Sequence, residues 1–340
     1  MEKETKLLKY SHLEAFVDKL NSLGDPVLAP VKVGRVVELK QVHSLGEIAM
    51  DVLLTTQSAK KVAFPKVEKV LEYSLDKAGI RQQSAPVIPS SGTILFGVRP
   101  CDASGFRSLD AIFGDHPKDA FYLEKRARTT IISFSCQTAD EYCFCTSVGG
   151  SPGNTEGSDL QFTRISETEL ILEILTEKGK KLSGLASDLL AEAPGQFDKQ
   201  QHLADVPVVF ELERAVANTT ASFGNAGLWL DHSLRCIGCG ACAFVCPTCA
   251  CFDFQDEQNT KQGVRLRLWD SCGFSLFTLH TSGHNPREVQ SQRWRQRLMH
   301  KFSYMPEQLK VAGCEGCGRC SRACPVDMNI KEHLTSIALQ

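Results

Sequence analysis

The sequence predicts an N-terminal domain of α+β or α/β class built round a βαβ unit, over about residues 1–215, and then a cysteine-rich domain over 216–340 with a long insert at about 252–313. Three observations predict this. The run TILFGV at 93–98 is β-branched and aromatic, a helical pattern follows it, and a second such run, TTIISF, stands at 129–134. Most of the 15 cysteines fall in the last third of the chain, and one cysteine motif occurs there twice. Finally, 340 residues exceed what one hydrophobic core comfortably supports, so two domains are expected.

Along the first domain, MEKETKLLKYSHLEAFVDKL places Leu7, Leu8, Leu13, Phe16, Val17 and Leu20 among charged residues at helical spacing, which predicts an amphipathic helix rather than an export signal. PVKVGRVVELK reads as a hairpin. TILFGV leads into RPCD and ASGFRSLDAIF, a helix for which Asp102 is the expected N-cap. A strand, a helix and a strand at this spacing predict a right-handed crossover with parallel strands, whose carboxyl ends share one edge of the sheet. Cys101 and Cys136 follow the two strands and so become neighbours, and YCFCTS adds Cys143 and Cys145. GGSPGNTEGSD is a loop, QFTRIS and ELILEIL a second hairpin, and KLSGLASDLLAEA a helix.

In the second domain Cys236, Cys239, Cys242 and Cys246 before Pro247 fit C-x2-C-x2-C-x3-C-P, and Cys314, Cys317, Cys320 and Cys324 before Pro325 fit it again. Two-residue gaps let three thiolates curl round one iron–sulfur cube, while the fourth cysteine reaches the other cluster. The spacing therefore predicts a ferredoxin-like domain with two [4Fe-4S] clusters. Cys236, Cys239, Cys242 and Cys324 hold the first; Cys314, Cys317, Cys320 and Cys246 hold the second. A pair of zinc knuckles is the bland alternative, but the repeated fourth cysteine before proline argues against it. The insert contains a strand, GVRLRLWDSC, and a basic helix, QSQRWRQRLMHKFSYM, whose Arg293, Arg295, Arg297 and Lys301 either offset cluster charge, dock an acidic partner or face solvent.

Cys101, Cys136, Cys143 and Cys145 form a third constellation, for which a [4Fe-4S] cluster, a structural zinc and inert buried thiols all remain open. Cys249, Cys251 and Cys272 are a fourth group: either small buried hydrophobes, or three ligands of a further centre completed by His280 or Asp270.

Composition excludes several classes. The net charge of −2 gives no bulk attraction to nucleic acid or anionic membrane, and no apolar run reaches the length of a membrane span. Cysteines without a secretory signal point to metal in a reducing, cytoplasmic setting rather than to disulfides. No Walker loop or G-x-G-x-x-G offers a nucleotide site, and no catalytic residue is assigned.

GVRPCD, CFCTS, RCIGCGACAFVCPTCACFD, WDSC, HTSGHNPR, MHKF and CEGCGRCSRACPV occur here in that order. With them, the chain resembles the iron–sulfur β subunits of cytosolic NiFe sulfhydrogenases and the A subunits of anaerobic sulfite reductases. The signatures run from about residue 92 to 326. The resemblance implies a dicluster electron-transfer subunit that relays electrons between a flavin-containing, NAD(P)H-linked subunit and a catalytic metalloenzyme subunit of hydrogenase, sulfite reductase or heterodisulfide reductase type. It also implies a cluster on Cys101, Cys136, Cys143 and Cys145. The competing expectation is a stand-alone reductase acting at an incompletely cysteine-ligated cluster.

Overall fold

The structure is a computed structural model that describes residues 4–84, 91–195 and 197–340. Its strands, in chain order, are β1 (Glu4–Lys9), β2 (Val27–Val33), β3 (Val36–Gln41), β4 (Val67–Asp76), β5 (Gly79–Ser84), β6 (Thr93–Val98), β7 (Thr129–Phe134), β8 (Leu160–Arg164), β9 (Glu169–Ile174), β10 (Leu190–Glu192), β11 (Phe252–Gln258) and β12 (Gln262–Trp269). Eight of them form one sheet in the order β10-β1-β9-β8-β7-β6-β2-β3. The pairs β2–β6, β6–β7 and β7–β8 are parallel and the rest antiparallel. Of the helices, α1 (Leu13–Asn21) precedes β2, α2 (Pro100–Gly114) and α3 (Ala120–Arg128) connect β6 to β7, and α4 (Glu177–Leu185) follows β9.

Both faces of the central strands are covered, which is why those strands read as continuous apolar runs. Ile94 and Phe96 of β6 join Phe16 and Val17 of α1 in one core, whereas Leu95 joins Phe106 and Leu109 of α2 in another. This is the period-2 alternation of a strand. Phe16 meets Phe162 edge-on at 5.3 Å, and Phe96 meets Phe134 at 5.3 Å.

The remaining helices are α5 (Leu212–Ala221), α6 (Ala226–Ser233), α7 (Ala241–Phe244), α8 (Gln290–Met299), α9 (Met305–Leu309), α10 (Arg319–Arg322) and α11 (Ile330–Ala338). A π-helical turn, His300–Tyr304, joins α8 to α9. Trp229, Trp294, Leu298, Phe302, Ile330, Leu334 and Ile337 form their core. A second sheet, β11-β12-β4-β5, takes two strands from before residue 215 and two from the segment after Pro247. Val264↔Glu72 and Arg267↔Glu68 are among its cross-strand partners.

Three local expectations are corrected. The first helix starts only at Leu13; Leu7 and Leu8 lie in β1, where pairing with β9 on one side and β10 on the other satisfies the backbone and overrides the helical spacing. Residues 1–3 of that segment lie outside the described residues. Asp102 is not an N-cap: Arg99 takes that position, and Pro100, with its φ preset, takes the first helical one. Finally, KLSGLASDLLAEA is α-helical only to Leu185; after Ala186 a 3-10 turn, Ser187–Leu189, leads into Leu190–Glu192, which joins the sheet as β10.

Candidate metal centres

Each cysteine motif folds as a loop of left-handed glycines followed by a single helical turn. Gly240 has φ +75 and is followed by α7; Gly318 has φ +69 and is followed by α10. Two glycines are required by space as well as by conformation. A Cβ on Gly240 would come within 2.5 Å of the Phe274 ring, and one on Gly316 (φ +61) within 2.5 Å of the backbone at Phe144 and Cys145. The second contact docks the loop of Cys143 and Cys145 onto the second motif, where Phe144 N–H donates to Gly316 O at 2.8 Å.

Cys236, Cys239, Cys242 and Cys324 wall one cavity, together with Cys272, Cys320, Trp294 and Arg297. Gln290 Nε2 donates to Cys236 Sγ at 3.1 Å and Met328 N–H to Cys324 Sγ at 3.2 Å. Cys239 is exposed, so this cavity reaches the surface.

The second group is more enclosed. Cys314 lies within electrostatic reach of Cys320 and Cys246, and Cys317 within reach of Cys246. Gly316 N–H donates to Cys314 Sγ at 3.4 Å. Lys301, in the π-helical turn, sends Nζ to Cys246 Sγ at 3.4 Å and to Thr248 Oγ1 at 2.8 Å, and donates to Gly313 O. Burial pushes the Cys314 thiol well up and the Cys320 thiol up to about 11. Cys317 is held down at about 6, chiefly by its hydrogen bond with Cys101 and then, against its burial, by the nearby Arg319 guanidinium.

Cys101 at the start of α2, Cys136 just past β7, and Cys143 and Cys145 on the following loop wall a third cavity, together with Cys317. Because β6 and β7 pair in parallel, both of their carboxyl ends face it. Burial raises Cys136 to about 11 and Cys145 to about 12. Arg322 Nη2 approaches Cys143 Sγ at 3.4 Å and is ion-paired with Asp140. Arg319 Nη1 lies 3.8 Å from Cys101 Sγ, and its other face pairs with Asp102 at 2.6 Å, both side chains being 2% exposed.

The residues fit iron–sulfur clusters on two grounds. Burial raises most of these thiols, so a cationic centre is what would keep them as thiolates. Arg297 Nε and Trp294 Nε1 are buried without a hydrogen-bond partner, and both residues wall the first cavity, where inorganic sulfides would accept from them. Among the described residues no three His, Cys, Asp or Glu side chains converge on a point as a single metal ion requires.

Reading the sequence did not single out Arg319, Arg322, Gln290 or Lys60. It noted Arg297 and Lys301 as one basic face, but the structure divides that face. Arg295 lies over the Phe223 ring at the surface, and Arg293 holds Gln290 and the backbone of Arg287 and Glu288. Arg297 and Lys301 turn inward to sulfur, Arg297 reaching Cys249 Sγ at 3.5 Å and Cys242 O at 3.2 Å. Their i, i+4 spacing beside Leu298 and Phe302 was the available signal. Cys249, Cys251 and Cys272 do come together as free thiols, Cys251 within reach of Cys272 and Cys249 within reach of Cys246. His280 is exposed and packs against His284 instead.

Comparison with known proteins agrees with this geometry. Residues 235–328 match the 4Fe-4S dicluster domain. The chain is an iron–sulfur protein. Over 327 residues, 94% of this chain and 93% of the relative, it is 28% identical to sulfhydrogenase 2 subunit beta of Pyrococcus furiosus, in line with the resemblance read from its motifs. No solved structure is significantly similar to it. No helix among the described residues is long and apolar enough to cross a membrane.

Proposed function

We propose that this chain is the electron-relay subunit of a multi-subunit oxidoreductase. It carries electrons between a flavin-containing, NAD(P)H-linked subunit and a catalytic metalloenzyme subunit of hydrogenase, sulfite reductase or heterodisulfide reductase type. Three [4Fe-4S] clusters serve it: one on Cys236, Cys239, Cys242 and Cys324, one on Cys314, Cys317, Cys320 and Cys246, and one on Cys101, Cys136, Cys143 and Cys145. When bound, such clusters supply one-electron redox chemistry.

The observation that carries this reading is that the three sites share walls. Cys320 of the second group lines the first cavity, and Cys317 of the second group lines the third and is hydrogen-bonded to Cys101. The protein's own part is to hold the thiolates, exclude water with Trp294, Met328 and Ile330, and place Arg297, Lys301, Arg319 and Arg322 against the negative charge. The first site opens at Cys239 beside the exposed Ile237 and Leu234, which suits an exit to a partner.

The test is iron and acid-labile sulfide per chain in protein purified without oxygen, combined with turnover assays of the single chain. A relay gives about twelve irons and reduces only artificial dyes alone. Reduction of sulfite or a heterodisulfide by the pure chain would instead establish a stand-alone reductase.

A further inference from the structure

At the open end of the β11–β12 hairpin Phe252 pairs with Trp269, and Asp270 N–H donates to Cys251 O at 3.0 Å. The hairpin therefore brings together the residues just outside it, Cys251 and Cys272. Their thiols lie within interaction reach of each other. Both are half-buried, and neither belongs to the repeated motifs or to the third group. Cys272 also walls the cavity of Cys236, Cys239, Cys242 and Cys324.

A cubane holds its cysteine sulfurs apart on different irons, and zinc draws four donors to one point. Cys251 and Cys272 meet as a pair and, unlike Cys101 and Cys317, which also meet, neither belongs to a set of four cysteines. The third cysteine nearby, Cys249, is a free thiol beside Cys246. Cations fix the surroundings: Lys60 donates to Cys249 O at 2.8 Å and Ala243 O at 3.0 Å and lies over the Trp269 ring at 4.0 Å, while Arg297 reaches Cys249 Sγ. Both charges lie within electrostatic reach of Cys251, where they favour the thiolate that attacks in disulfide chemistry.

We propose that Cys251 and Cys272 form a redox-active dithiol–disulfide couple that exchanges electrons with the cluster of the first site, a step that rests on the cluster assignment above. In the oxidising direction the two thiols release two protons to solvent, one S–S bond forms, and two electrons pass singly to the oxidised cluster, which passes each onward before taking the next. In the reducing direction two electrons from the cluster and two protons from solvent break the S–S bond. The couple holds an electron pair beside carriers that move one electron at a time.

The test uses the full chain with its clusters in place, poised without oxygen in mixtures of reduced and oxidised dithiothreitol, quenched in acid, alkylated, digested and examined by mass spectrometry. The expected result is a Cys251–Cys272 cross-linked peptide that appears as a two-electron transition, tenfold in ratio per about 30 mV. Cys272→Ser should abolish it, leave the iron content unchanged, and lower by two the electrons taken up per chain in a reductive titration. Absence of the cross-link at every potential where the first cluster is oxidised would overturn the proposal, as would loss of about four irons in both Cys251→Ser and Cys272→Ser, which would make them ligands. Unchanged iron after Cys236→Ala would sink the cluster assignment and the exchange with it; that failure is distinct, because it leaves the cross-link in place.

Discussion

Replacing Lys301 by methionine should lower the reduction potential of the cluster proposed on Cys314, Cys317, Cys320 and Cys246 by about 100 mV. Lys301 is 3% exposed, and its Nζ lies 3.4 Å from Cys246 Sγ. Nothing screens a charge so placed as surface charges are screened. The bond length bounds the separation from below; doubling it to about 7 Å, to allow for an electron shared over the cluster, gives about 2.4 kcal/mol at an effective dielectric of about 20. That is about 100 mV for one electron. The sign follows from charge: a cation favours the more negative, reduced state, so its removal makes reduction harder. Met keeps most of the side-chain length but removes the ammonium that donates to Thr248 Oγ1 and Gly313 O, leaving Gly313 O only the Thr248 hydroxyl, so Lys301→Arg is the companion variant that retains the charge. The assay is a redox titration without oxygen, followed by electron paramagnetic resonance, with iron measured in the same samples. A shift under about 20 mV or a shift upward, at unchanged iron, would refute the electrostatic reasoning.

Other expectations can be stated briefly. Cys236→Ala and Cys314→Ala should each remove about four irons per chain, and Cys101→Ala a further cluster without unfolding the C-terminal helices, as circular dichroism would report; full iron after the Cys101 change would leave that site to structure alone. Asp102→Asn strands the buried Arg319 charge and weakens its support of Ala59 N–H, which should cost about 3–5 kcal/mol in urea unfolding. His333 is held down at about 4, mainly by burial and then by His232. Its folded value therefore lies below its unfolded one, and the stability it contributes is complete above about pH 6.5 and lost as pH falls toward 4. Between pH 7 and 5.5 the loss is about 1 kcal/mol, and His333→Gln should reduce the measured pH slope by that amount; an unchanged slope would count against it.

What the sequence made legible was the part written in local pattern. The runs at 93–98 and 129–134, the helix after Pro100, both hairpins and the two cysteine motifs all depend on alternation, turn residues or fixed spacing. What it concealed depends on long-range pairing. Nothing within residues 4–9 says that both edges of β1 will be covered, so the helical spacing of Leu7 and Leu8 misled. Nor does β4 announce that its partner β12 lies almost two hundred residues later. The buried cations were hidden for the same reason. Arg319 reads as one charged residue within CGRC, and only the fold brings Asp102 and Thr55 to it.

Those cations also set an order among the three sites. At the third site two guanidinium groups are matched by carboxylates, Arg319 by Asp102 and Arg322 by Asp140. A third, Arg99, has among the described residues only the carbonyls of Val52, Leu53 and Ser135, but it is part-exposed and so better screened than Arg297 or Lys301. At the other two, among the described residues, Lys301 bonds to neutral oxygens and Cys246, and Arg297 to Cys242 O and Cys249, with no carboxylate partner. The nearest acid of the second motif, Glu315, has its carboxyl pushed up to about 7 by burial and so carries less than a full charge near neutrality. Matched ion pairs add little net field, whereas unmatched buried cations favour the reduced state. The cluster proposed on Cys101, Cys136, Cys143 and Cys145 should therefore have the lowest potential of the three, so that electrons entering there run downhill to the other two sites, the first of which opens at Cys239. In a reductive titration of the whole chain the signal that develops last should be the one missing from Cys101→Ala. If the first signal to develop is missing instead, the charge-matching argument fails, and the order must come from hydrogen bonds to sulfur rather than from these side chains.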